Sequence, residues 1–229
     1  MEVLYEDDHL IAINKPHGLF VHRTALDKDA TIFAVQCVRD LIGQRVYPVH
    51  RLDRKTSGVL VLAKSKSVQS LMNEMFRERQ VMKKYLAIVR GYTDDNGTID
   101  YVLKTDKGKA QDALTHYRTI KRTEIQISSG RFETSRYSMV ELNPVTGRMH
   151  QLRRHMSHIF HPIIGDRPHG CNKQNRFFLA QFEMGTMMLH ASEISFAHPI
   201  SGLTVHIQGE IHSEFERMIR ELGFDRRLI

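Results

Sequence analysis

Apolar and polar positions repeat along this chain with two different periods. Residues 2–15 hold two short alternating runs, Val3-Leu4-Tyr5 and Leu10-Ile11-Ala12-Ile13, separated by the polar Glu6-Asp7-Asp8. That pattern predicts a β-hairpin, which Asn14-Lys15-Pro16-His17-Gly18 then breaks. Over residues 30–42 the period becomes helical. Ile32, Val35, Val38, Leu41 and Ile42 recur at helical spacing until Gly43 stops them. A second helix is predicted over 67–79, with Leu71, Met72, Met75 and Phe76 on one face and Ser65 or Ser67 as its cap. From 81 to 142 the signal is mostly β. Tyr85-Leu86-Ala87-Ile88-Val89 reads as a strand ended by Arg90-Gly91, and residues 113–120 and 135–142 alternate. Asp94-Asp95-Asn96-Gly97 and Ser128-Ser129-Gly130 read as turns. A basic helix is predicted over 148–159, strands over 188–197 and 203–208, and an amphipathic helix over 212–222. No repeat, low-complexity tract or linker composition interrupts the series. The elements sum to one α+β domain, residues 1–229, on a large mixed sheet, compatible with two lobes around a cleft.

Composition adds a partner class. Hydrophobic residues make up 41% and charged residues 26% of the 229, as in ordinary globular proteins. Lys and Arg outnumber Asp and Glu by 33 to 26, giving net +7, and the pI is about 9.5. A polyanion such as RNA or DNA is the natural partner for that excess, because bound Lys and Arg displace phosphate counterions. Cys37 and Cys171 form no CxxC pattern, so a disulfide framework is not expected and a reducing compartment fits. The first residues lack a basic region and a long apolar run. Neither a signal peptide nor a membrane span is expected, and a cytoplasmic location follows.

The densest chemistry lies in His50-Arg51-Leu52-Asp53-Arg54-Lys55-Thr56-Ser57-Gly58, ahead of the apolar Val59-Leu60-Val61-Leu62-Ala63. One acid, Asp53, stands among Arg51, Arg54 and Lys55. Neighbouring cations favour an ionised carboxylate, which suits nucleophilic work, and they also attract phosphate. By physical chemistry alone, a surface loop with a salt bridge explains the segment better, since many perturbed acids are structural.

The stretch HRLDRKTSGVLVLAKS resembles the signature of the RluA-type family of pseudouridine synthases. Further segments resemble that family's motifs in order. They are Asn14-Lys15-Pro16-His17-Gly18 with Val21-His22, Lys83-Lys84-Tyr85-Leu86-Ala87 and Thr146-Gly147-Arg148-Met149-His150-Gln151-Leu152-Arg153. Leu189-His190-Ala191 with His198-Pro199 closes the series. The resemblance implies a pseudouridine synthase fold: a large, mostly antiparallel sheet with flanking helices and a central RNA-binding cleft. It also implies catalytic roles. Asp53 is the essential carboxylate, Arg148 its bidentate partner and Tyr85 an aromatic ring against the uracil. For Arg148 the plain alternative is a phosphate contact; for Tyr85 it is a core aromatic. The implied reaction flips a uridine out of its stack, detaches the base and rejoins it through C5. It needs no redox cofactor, ATP or metal.

The expected RNA contacts are His50, Arg51, Arg54 and Lys55 around Asp53, Lys15 in the first motif, and Arg153, Arg154 and Arg176. Residues 145–176 carry net +5 and form the main candidate RNA face, with a solvated basic helix as the plain alternative. His150, His155, His158 and His161 cluster in sequence, and His155 with His158 could share a helix face. Without thiolates or an HExxH pattern, RNA contact or packing is preferred to zinc. The run from Thr146 to Arg176 most resembles family members that act on uridine 65, in the T stem of tRNA. Ribosomal RNA is the alternative substrate. A catalytically idle RNA-binding module and a metal-dependent hydrolase are rivals of other classes. A monomer is expected, with no separate N-terminal RNA-binding domain. Residues 93–134 match the family least.

Overall fold

The computed structural model describes residues 1–22 and 31–224. The fold is α+β, with a large, mainly antiparallel sheet and, among the described residues, five helices. In chain order the elements begin β1 (Glu2–Glu6), β2 (Leu10–Lys15), α1 (Ala34–Ile42), β3 (Tyr47–Pro48), β4 (Ser57–Ala63) and α2 (Lys66–Arg77). Then come β5 (Met82–Arg90), β6 (Asn96–Asp100), β7 (Leu103–Lys104), β8 (Ala110–Gln111), β9 (Leu114–Ile125) and β10 (Ser135–Pro144). The series ends with α3 (Gln151–His158), α4 (Asn172–Phe182), β11 (Leu189–Ala197), β12 (Thr204–Gln208) and α5 (Ser213–Glu221). The chain divides into two compact units, Met1–Lys83 with Ala191–Glu210 and Lys84–His190 with Ile211–Ile229.

In the first unit, β1 and β2 form the expected hairpin, with Val3 opposite Ile13. Its turn is closed by the Asp7 carboxylate, which accepts the His9 and Leu10 amides at 2.7 Å each. β2 pairs antiparallel with β4, Ala12 opposite Val61. Every residue of both strands is buried, which explains their continuous apolar runs. Leu10, Val59, Val61, Met72, Ile194, Phe196 and Ile207 share one core, each burial stabilising by about 1.5–3 kcal/mol. Gly58 opens β4 with φ +108°, and a Cβ there would lie 2.1 Å from the Ala191 carbonyl oxygen. Only glycine lets β4 approach β11 so closely. Ser65 caps α2 by accepting the Val68 amide, and Val68 and Met72 face the core while Leu71 stays exposed. α1 ends at Gly43 in the left-handed region. Residue 30, its expected start, lies outside the described residues. Ile32 precedes the helix and Leu41 sits on its last turn, and both are exposed; Ala34 and Val38 make the buried face instead.

In the second unit the strands order as β5-β10-β9-β6, all antiparallel, with Tyr85 opposite Leu142. Asn96-Gly97, predicted as a turn, opens β6. Gly97 lies under the Tyr117 ring, where a Cβ would come within 2.5 Å, so the glycine serves cross-strand packing. β7 and β8 form a separate two-stranded hairpin. α3 begins at Gln151, three residues later than predicted, because His150 before it is left-handed (φ 56°). Helix α4 carries a buried face of Gln174, Phe178 and Phe182 at i, i+4, i+8. Its polar first turn hides that period in the sequence. Phe178, Phe182, Tyr137, Phe215, Met218 and Ile219 form this unit's main core.

Candidate active site

In the first unit, the segment that carries Asp53 is a tight turn. The Thr56 amide donates to the Asp53 carbonyl at 3.0 Å, so Arg54 and Lys55 form the corner and Ser57 enters β4. Asp is favoured at the first position of such a turn. Leu52, 5% exposed, anchors the approach, while Asp53 itself is half-buried. The loop after β2 grips this turn. The Gly18 amide donates to the Arg54 carbonyl at 2.9 Å, and Arg54 Nε donates back to the Gly18 carbonyl at 3.1 Å. The Arg54 guanidinium also lies 4.8 Å over the Phe20 ring, a cation–π contact. The first and second sequence motifs are therefore one structural piece.

Lys15 holds that piece from beneath. Its side chain is fully buried, and Nζ donates to the carbonyls of Leu19 at 2.8 Å, Pro16 at 3.0 Å and Arg54 at 3.3 Å. Burial lowers its pKa to about 7, against the attraction of the Asp53 carboxylate. Buried ammonium groups shift this way when no ion pair fully compensates. His50 is fixed too. Its Nε2 accepts the Val61 amide at 3.0 Å, and its ring stacks on Phe76 with centroids 5.2 Å apart. Burial, with the Lys83 ammonium adding to it, pulls the ring's pKa down to about 3. The imidazole is therefore neutral, with its proton on Nδ1.

In the second unit, Tyr85 sits on β5, partly buried against the core that includes Val89, Leu142 and Met156. Arg148 is half-buried just ahead of α3, and its Nε donates to the Asp112 carbonyl at 3.0 Å. Its backbone is set by Gln151, a residue without an assigned role in the motif reading. Gln151 Oε1 accepts the Arg148 amide at 3.0 Å and the Thr146 hydroxyl at 2.7 Å. Its Nε2 donates to the Leu114 carbonyl and to Thr115 Oγ1, both at 3.0 Å. All four hydrogen-bonding positions of this buried amide are used. The glutamine of the T-G-R-x-H-Q-L-R run is the signal that could have identified it.

Lys15, His50 and Arg153, expected as RNA contacts, instead satisfy the protein's own polar groups. Arg153 forms a buried bidentate pair with Asp166, Nε to Oδ2 at 2.8 Å and Nη2 to Oδ1 at 2.7 Å. A planar fork matches a carboxylate in this way, so that guanidinium is committed within the fold. Arg51, Arg54 and Arg176 are exposed, and Lys55 and Arg154 are half-buried. The histidines of α3 have uses of their own. His155 Nδ1 is 3.0 Å from Thr115 Oγ1 and Nε2 is 3.1 Å from the Tyr101 carbonyl, so both nitrogens are engaged. His158 stacks on Tyr101 at 3.6 Å. His150 Nδ1 meets His169 Nε2 at 2.9 Å.

The Asp53 turn lies in the first unit, and the Tyr85 strand and the Gln151-held loop that carries Arg148 lie in the second. Residues 9–158 match the family model for RNA pseudouridylate synthase, and the chain belongs to that family, of the RluA type. It is accordingly an enzyme of the pseudouridine synthase class. It is 46% identical over 235 residues to the tRNA pseudouridine synthase C of Pectobacterium carotovorum, covering 98% of this chain and 62% of that protein. Against the Vibrio parahaemolyticus protein of the same name, identity is 42% over 240 residues, covering 100% and 98%. Among solved structures, the human RNA pseudouridylate synthase domain containing 4 superposes with a TM-score of 0.74 at 26% identity, covering 97% of this chain and 93% of that one. Among the described residues, no helix is long and apolar enough to cross a membrane.

Proposed function

We propose that this enzyme converts uridine to pseudouridine in tRNA, at position 65 in the T stem. Asp53 acts as nucleophile or electrostatic partner, Arg148 pairs with its carboxylate, and the Tyr85 ring lies against the uracil. The observation that carries the reading is the Asp53 turn. A half-buried carboxylate is presented from a backbone corner that Gly18, Arg54 and Lys15 fix from three directions. Such preorganisation is what a group attacking a flipped base requires. The tRNA assignment is supported by the names of the bacterial relatives at 42–46% identity, and by the Arg-rich run that follows Thr146. Arg51, Arg54, Lys55, Arg154 and Arg176 are the proposed RNA contacts, meeting phosphates rather than reading bases.

The test is pseudouridine mapping on total RNA from cells with and without the gene, complemented by wild type or Asp53→Asn. Loss of a single tRNA mark at position 65, restored by wild type alone, is the expected result. Turnover by purified Asp53→Asn above about one hundredth of wild type removes Asp53 from this role. Loss of a ribosomal mark instead keeps the chemistry and overturns the substrate.

A further inference from the structure

The segment 101–112 holds a small hairpin that the motifs leave unassigned, and it is fastened to the second unit by α3 and the loop before it. At its base, His155 Nε2 lies 3.1 Å from the Tyr101 carbonyl and His158 stacks on the Tyr101 ring. On its first strand, Arg154 Nη1 donates to the Lys104 carbonyl at 3.0 Å. At its far end, Arg148 Nε donates to the Asp112 carbonyl. Leu103 and Ala113, at most 1% exposed, plug it into the core. Its corner is closed by the Gly108 amide on the Thr105 carbonyl at 2.8 Å, the Thr105 amide on the Lys109 carbonyl at 2.9 Å, and a left-handed Gly108 (φ 78°).

A feature held at so many points is a rigid projection. Its exposed side chains include Lys104, Lys107 and Lys109, opposed by the acid Asp106. The corner itself carries no aromatic ring, and Tyr101 has one face covered by His158. Base stacking, which single strands need, is therefore poorly served. Cations without base-reading groups suit the phosphates of a double-stranded stem, which proteins recognise by shape.

We infer that the 103–111 hairpin is a phosphate-tracking arm for a double-stranded stem of the RNA substrate, seated through Arg148, Arg154, His155 and His158. The inference rests on the RNA reading above and adds the stem backbone as its ligand.

The experiment measures affinity for an unmodified tRNA transcript against KCl concentration, with a single-stranded oligonucleotide of the same length as control. The triple variant Lys104→Ser/Lys107→Ser/Lys109→Ser should weaken tRNA binding on the order of tenfold and make the log–log salt slope shallower by about 2–3, as expected for lost phosphate contacts. Binding of the single strand should change less than twofold, and kcat at saturating tRNA should hold. Lys107→Glu alone, at the corner, should give the same direction with a smaller shift, and serves if the triple variant misfolds. An unchanged tRNA slope in both variants overturns the arm, as does an equal loss for the single strand. Because binding is read independently of turnover, a wild type that binds tRNA through these lysines yet forms no pseudouridine would refute the function and keep the arm.

Discussion

At the scale of single residues, environment decides what a side chain can do, and His50 shows this. It opens a segment rich in cations, yet its Nε2 accepts a backbone amide and its pKa is held near 3. Unfolded, the same ring titrates near 6.5. Above that value its contribution to stability is fully present, and it is lost as pH falls through 6.5 toward 3, because the unfolded chain takes up the proton first. His50→Gln offers the Val61 amide an acceptor but cannot titrate. We expect the urea midpoint of wild type to fall further between pH 7.5 and 4.5 than that of His50→Gln; equal falls would contradict the assignment. Residues of this kind were hard to read from sequence. Asp53, Tyr85 and Arg148 stand out because their motifs are long, whereas Lys15, His50 and Arg153 read as RNA contacts because charge is visible in a sequence and burial is not. The carbonyl cage of Lys15 and the carboxylate that holds Arg153 come from residues far along the chain or from backbone atoms.

At the scale of elements, the strands with continuous apolar runs and the helix with a serine cap follow from periodicity and capping alone. β6 and α4 do not. The first is written in Asn-Gly, a turn signal overridden by the packing of Tyr117 on Gly97. The second begins with Asn172, Lys173, Gln174 and Asn175, so its apolar spacing emerges only in its second half. The Arg153–Asp166 pair ties α3 to the loop that precedes α4, with both side chains nearly dry. Asp166→Ala strands a buried guanidinium and should cost about 3–5 kcal/mol. Arg153→Met combined with Asp166→Leu removes both charges and should recover at least about half of that loss in chemical denaturation. Additive losses in the double variant would mean that the pair's geometry, rather than its charge balance, supports the junction.

At the scale of the whole molecule, the charge surplus of +7 is unevenly spread. Residues 145–176 carry most of it, but Arg153, one of the cations of that run, is consumed internally by Asp166. The exposed hairpin lysines, Lys104, Lys107 and Lys109, lie outside that run. A polyanion bound through four to six phosphate contacts should lose roughly 10²–10³-fold in affinity between 50 and 200 mM KCl. A binding titration across that range checks it, and a near-flat response would point to recognition dominated by the base pocket.

The Gln151 amide has a consequence for the direction of its neighbours' protons. The Arg148 amide can only donate and the Leu114 carbonyl can only accept, so the two ends of Gln151 cannot be exchanged. Its Nε2 then fills Thr115 Oγ1 as an acceptor, which turns the Thr115 hydrogen toward His155 Nδ1. That in turn leaves the His155 proton on Nε2, aimed at the Tyr101 carbonyl. Four groups form a one-way row whose sense is written at Arg148 and read at the foot of the hairpin. A second proton on His155 would reverse its middle link, in keeping with the lowered pKa that burial gives this ring.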